Sequence, residues 1–167
     1  MTTGVSTASL FMREMNEDAL TVLDGLGVKS TEVFLTTFSE YSEEFARLLL
    51  SRRGGLNINS VHLLNTEFEP QLFSAHPRAR KDAYSLLRGA MRSAHIFGAK
   101  AYTLHGITRL KKNSAPADCG KLAADFEEIQ SVCRAEGVEP CLENVHWALY
   151  NQPGIFSQIR ARVPSLK

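Results

Sequence analysis

Several features that assign a chain quickly to a class are scarce or missing in these 167 residues. Cysteine occurs three times, as Cys119, Cys133 and Cys141, and none of the spacings is Cys-x-x-Cys. An odd, unpaired set excludes a disulfide framework and the common redox or zinc pairs, so reduced thiols in a cytoplasmic protein are the expectation. No apolar run approaches the roughly eighteen residues of a membrane-spanning helix, and Met1 to Phe11 lacks a basic start followed by a long apolar stretch. Charge of one sign is also lacking. Nineteen basic against eighteen acidic residues leave +1, which gives no overall field toward nucleic acid or an anionic membrane. Behind the first apolar run, Ser9-Leu10-Phe11-Met12-Arg13 contains neither a GxGxxG nor a Walker-type loop, the phosphate cradle expected of many doubly wound sheets.

What is present is a rhythm. Four times a helical pattern passes through glycine into a short apolar run that reaches an acid or a histidine: Gly25 to Glu32, Gly55 to His62, Gly98 to His105 and Gly137 to Glu143. Residues two apart in a strand share a face, so Ser30, Ser60, Thr103 and Cys141 lie beneath Glu32, His62, His105 and Glu143. Small residues under polar tips on successive strands suit the interior of a closed parallel barrel with an active site on its upper rim.

Between these runs the spacing predicts helices. Val5 to Leu10 reads as a first strand. Asn16 then caps a helix with an apolar stripe of Ala19, Leu20, Leu23 and Leu26. Ser42 precedes Glu43, Glu44, Phe45, Leu48 and Leu49, with Arg52 and Arg53 in the last turn, the charge order favoured by a helix dipole. Ala83, Leu87, Ala90 and Ala94, then Leu122, Phe126, Ile129 and Cys133, recur at helical spacing. Pro153-Gly154 opens a shorter helix with Ile155 and Ile159. Single helices between strands imply right-handed crossovers and a parallel sheet. The expected fold is therefore α/β, a parallel barrel of the TIM type. Eight such units need about 250 residues. The sequence carries about five before Val163-Pro164-Ser165-Leu166-Lys167, which looks like the start of a sixth strand. Residues 1–167 thus read as the N-terminal portion of one barrel, and open sheet edges would invite association, including a homo-oligomer.

Thr31-Glu32-Val33-Phe34, Ser60-Val61-His62, Thr103-Leu104-His105-Gly106 and Leu142-Glu143-Asn144, in that order, resemble the xylose-isomerase-like barrels. That family includes sugar and sugar-phosphate isomerases and epimerases and, more distantly, apurinic endonucleases of the endonuclease IV type. In the isomerase branch the resemblance implies that Glu143 binds a divalent cation and serves as an acid/base carboxylate, while His62 and His105 line the substrate pocket. In the endonuclease branch it implies that the same three positions are zinc ligands. The sequence departs from the endonucleases in lacking the proline context after both histidines. The family's later aspartate, histidine and second glutamate would fall beyond Lys167.

The residue types suit such chemistry. Moving a hydrogen next to a carbonyl requires a carboxylate base, and a cation ligated by hard donors can polarise the carbonyl. One carboxylate and two imidazoles suit zinc or manganese, with magnesium and cobalt also open. Glu32 and Trp147 complete the candidate substrate-binding set with His62 and His105; Glu32 alternatively holds a loop, and Trp147 alternatively packs. Glu143 alternatively forms a structural ion pair. His76, beside Pro77, and His95, within a helix, read as structural. Arg78-Ala79-Arg80-Lys81 and Lys111-Lys112 read as solvated charge. The leading expectation is a metal-dependent isomerase or epimerase of a small sugar, sugar phosphate or related polyol. A zinc phosphodiesterase acting on DNA and a non-catalytic barrel remnant are the alternatives.

Overall fold

A computed structural model describes residues 3–64, 68–109 and 117–167. Five parallel strands, β1 (Val5–Ser6), β2 (Ser30–Leu35), β3 (Asn57–Leu63), β4 (Ala101–Leu104) and β5 (Glu139–Leu142), lie side by side in sequence order. Helices α1 (Asn16–Gly25), α2 (Glu43–Arg52), α3 (Pro77–Phe97) and α4 (Cys119–Ala135) make the crossovers, and α5 (Ile155–Arg162) follows β5. Strand order that never reverses is the winding of a barrel; a doubly wound sheet reverses at a switch point.

The pleat sorts residues between two environments. Val33 and Leu35, Val61 and Leu63, Tyr102 and Leu104 are buried against the helices. The predicted stripes meet them: Ala19, Leu20 and Leu23 on α1, Leu87 and Ala90 on α3, Phe126, Ile129 and Cys133 on α4. Leu26, just past the end of α1, and Leu48 on α2 are the exceptions, both exposed. The other face, with Glu32, Ser60, His62 and Thr103, is only partly buried. Among the described residues no helix is long and apolar enough to cross a membrane.

Local boundaries differ from the expectation in informative ways. The first strand is only Val5–Ser6, and Thr7–Leu10 is a 3-10 turn. The Ser6 hydroxyl accepts from the Ala8 amide, and the Thr7 hydroxyl accepts from the Phe34 amide in place of a continued ladder. Asn16 is the first residue of α1, not its cap; Met15 holds that position. Its side chain instead ties elements together, accepting from the Thr7 hydroxyl at 2.7 Å and donating to the Phe34 carbonyl at 2.8 Å and to Glu40 at 3.2 Å. Ser42 caps α2 as expected, accepting from the Phe45 amide. After Pro164 the chain turns beside β5, and the Lys167 carbonyl accepts from the Leu142 amide at 2.9 Å.

Candidate active site at the C-terminal strand ends

The strands do not all stop at their ionisable residue. β4 ends just before His105, and β5 just before Glu143, but β3 runs one residue past His62 and β2 three past Glu32. The register also shifts between Thr31 and Glu32, setting Glu32 beside Ser60 and Phe34 beside His62. Glu32 therefore lies one layer below His62, which is itself level with Thr103 and Cys141, one layer below His105 and Glu143.

His62, His105 and Glu143 converge. The His62 Nε2 is 3.4 Å from His105 Nδ1, and His105 Nε2 is 2.9 Å from Glu143 Oε2. One candidate ligand atom from each falls within 4.8 Å of the others. Rings extend the row, with Phe34 4.8 Å from His62 between centroids, His62 4.5 Å from His105, and His105 5.1 Å from Trp147. Beneath them the Glu32 Oε1 is 3.7 Å from His62 Nδ1, while its Oε2 accepts from Ser60 at 3.1 Å and Thr103 at 3.0 Å. A cavity of about 600 Å³ flanks the row at the β1 and β2 ends, lined in part by Phe11, Met15, Asn16, Phe34 and Glu40. It adjoins His62 through Phe34 and does not reach the carboxylate of Glu143.

Electrostatics separates these groups. Burial draws the His105 imidazole below the usual histidine range; the neighbouring His62 pushes the same way, and Glu143 opposes them. A neutral ring keeps a lone pair free for a metal or a proton. For Glu32, burial pushes upward, but the hydrogen bond and charge of His62, with lesser help from Thr103 and Ser6, hold the carboxyl down at about 2. Glu143 is half exposed and open to a ligand, whereas His105 is nearly covered.

Two further polar groups, on which sequence reasoning is silent, support the site through the backbone of His105. Glu69, completely buried, accepts from the amides of His105 and Gly106, both at 3.1 Å, and from the Tyr102 hydroxyl. Burial raises its carboxyl to about 7 against those three bonds. The buried Tyr150 hydroxyl donates to the His105 carbonyl and also stands 3.1 Å from the Glu143 carbonyl. Gly106 has φ of +75°, and a Cβ there would meet Tyr150 at 3.3 Å and Phe73 at 3.4 Å, so both conformation and space select glycine. Glu69-Pro70 at the start of a 3-10 turn was the one available signal, and it marks a turn, not a site.

The remaining candidates scatter. His76 caps α3 through its ring, and His95 is exposed in the helix's last turn. Arg78 and Lys81 are exposed, but Arg80 is not solvated charge: it pairs with Asp125 at 2.9 Å and Glu128 at 2.6 Å because it bridges α3 to α4. Lys111 and Lys112 lie outside the described residues.

Solved structures resemble this one over nearly its whole length. A D-tagatose 3-epimerase-like protein superposes with a TM-score of 0.75 at 18% identity, covering 95% of this chain and 60% of the other. The D-allulose 3-epimerase from Methylomonas sp. gives 0.72 at 14%, covering 96% and 58%. A xylose isomerase domain protein from Planctomyces limnophilus gives 0.63 at 15%, covering 93% and 58%. The fold is that of the xylose-isomerase-like barrels. The chain spans about 60% of the length of the first of these structures. No protein-family model matches the chain, and no curated protein matches it in sequence.

Proposed function

We propose that residues 1–167 are the N-terminal portion of a (β/α)8 barrel carrying part of the active site of a divalent-metal-dependent isomerase or epimerase, acting on a small sugar, sugar phosphate or related polyol. The observation that carries this reading is the convergence of His62, His105 and Glu143 at neighbouring strand ends, where barrel enzymes place their chemistry. The epimerase relatives in fold support the same class.

The donor set fits a cation. Donors bound at about 2.0–2.2 Å around one metal stand some 3 to 3.5 Å apart, and two imidazoles and a carboxylate already within 4.8 Å need only small rotations. His62, His105 and Glu143 would hold it, and the bound ion would supply positive charge where negative charge develops on a substrate oxygen. The donor types admit manganese, magnesium, cobalt or zinc. The chain's own residues supply the rest. Glu143 takes the proton from the carbon next to the carbonyl and returns it on the same face to the adjacent carbon, which isomerises the sugar; inverting one carbon takes a second acid on the opposite face, the role the resemblance implies for the family's later glutamate. Glu32, ionised at neutral pH, keeps the His62 Nδ1 side occupied, so that Nε2 faces the site. Trp147 over His105 shields that side from water. The cavity beside Phe34 receives the far end of the substrate.

Glu143→Gln tests this. Turnover on a panel of ketoses should fall by roughly a hundred- to ten-thousand-fold, metal binding should weaken, and the melting temperature should hardly change. Parent-like turnover and metal binding with a large loss of stability would make Glu143 a structural carboxylate. The second reading, a zinc phosphodiesterase of the endonuclease IV kind, is favoured by the two-imidazole, one-carboxylate balance typical of catalytic zinc. Cleavage of an abasic-site duplex by the parent, with no action on ketoses, would select it.

A further inference from the structure

We propose that Glu69 and Tyr150 are positioning residues that clamp the His105 main chain from both sides and thereby fix its distance from Glu143. The inference rests on the site reading above. It adds two residues that touch neither substrate nor cation.

Three segments remote in sequence meet at one peptide. Glu69, from the connection between β3 and α3, takes the amide hydrogens of His105 and Gly106. Tyr150, from the connection after β5, donates to the carbonyl of the same His105 and stands against the carbonyl of Glu143. With its amide and carbonyl both engaged, the His105 backbone has little freedom to turn. Because one hydroxyl addresses both carbonyls, the loops bearing His105 and Glu143 move together. A carboxylate without any exposure is costly to bury, yet every hydrogen bond found for Glu69 goes to the His105-Gly106 segment or to Tyr102 on the strand that leads into it. Tyr150 is also almost wholly buried, in contact distance of Gly106, where no side chain would fit. The loops are further joined by Leu149 donating to the Ile107 carbonyl at 2.8 Å and Arg109 donating to the Trp147 carbonyl at 2.7 Å. Functional groups must be held to within about half an ångström of productive geometry, which their supporting shell decides.

The test uses this chain and cobalt(II) alone. The sequence has a single tryptophan, Trp147, so its fluorescence reports directly on the neighbourhood of His105. Tyr150→Phe keeps the ring and removes the hydroxyl; Glu69→Ala removes the acceptor, and Glu69→Gln keeps one. Tyr84→Phe, which deletes another tyrosine hydroxyl, bonded to Arg80 and to no residue of the site, is the comparison. We expect cobalt(II) affinity to fall roughly ten- to a hundred-fold in Tyr150→Phe and Glu69→Ala, the span for outer-shell partners. Glu69→Gln should restore most of it, and Tyr84→Phe should match the parent. Parent-like affinity in Tyr150→Phe and Glu69→Ala overturns the clamp, as does an equal loss in Tyr84→Phe. If Glu69→Ala does not fold, Tyr150→Phe decides. If the parent itself binds no cobalt(II), the metal reading fails, and the clamp is judged by the nuclear Overhauser contact between the His105 and Trp147 rings. Loss of that contact in Tyr150→Phe but not in Tyr84→Phe upholds the clamp, and its persistence in Tyr150→Phe overturns it.

Discussion

Glu32, half-buried, and Glu69, fully buried, are carboxylates near the two histidines, and their surroundings drive them in opposite directions. Glu32 is held at about 2, so it contributes stability that is present above its unfolded value of 4.5 and is lost as pH falls toward 2. Glu69 is raised to about 7, so its contribution is present below 4.5 and is lost as pH rises through 7. In metal-free chain, the melting-temperature difference between parent and Glu32→Gln should shrink on acidification from pH 4.5. The difference between parent and Glu69→Gln should shrink on raising pH from 4.5 to 7. Thermal melts across both windows check this. Parallel slopes for the two variants would point to overall charge and away from these two environments.

The long helix α3 offers a cleaner test of what a single element needs. It ends at Gly98 with φ of +94°, where the amide bonds back to the carbonyls of Ala94 and His95. A Cβ there would meet nothing within 4 Å, so Gly98→Ala would strain only the backbone. A left-handed non-glycine residue costs about 1–2 kcal/mol, which at roughly 2–4 °C per kcal/mol for a chain of this size lowers the melting temperature by a few degrees. Calorimetry reads it directly, and no change would mean that the helix end relaxes. Such endings were legible in the sequence because glycine after an apolar stripe has one dominant use. The stripes on α1, α3 and α4 were legible too, since periodicity reports which face is buried. Lateral register was not. Nothing in the spacing shows that the ladder slips between Thr31 and Glu32, or that β2 continues to Leu35, so Glu32 reads as a peer of His62 when it lies beneath it. The roles of Asn16, Glu69 and Tyr150 were not readable for a related reason: their partners, backbone groups and side chains of distant segments, are brought close only by the fold. The convergence of His62, His105 and Glu143 was readable because strand ends in a parallel sheet share one rim.

At the scale of the whole molecule, the two faces of the sheet have different chemistry. The helices seal the outer face with the apolar cluster, whereas the inner face carries Glu32, Ser60, His62 and Thr103 and stays half open. Such a face is filled in a closed barrel by the strands opposite. In these residues β1 and β5 are edge strands, the first only two residues long, and the Lys167 carbonyl engages a single amide of β5. Near the β1 edge Phe11, Met12 and Met15 are exposed together. Unpaired strand edges beside exposed apolar side chains favour pairing with another chain. The 167-residue chain should therefore self-associate, its mass by light scattering rising with concentration above that of one chain. Phe11→Ser with Met12→Ser should move that rise to higher concentration, because both side chains lie at the open edge and neither belongs to the His62, His105 and Glu143 cluster. A monomer at all concentrations with one cooperative unfolding transition would count against the open edge as an association surface, and would mean that five βα units with a polar inner face stand alone.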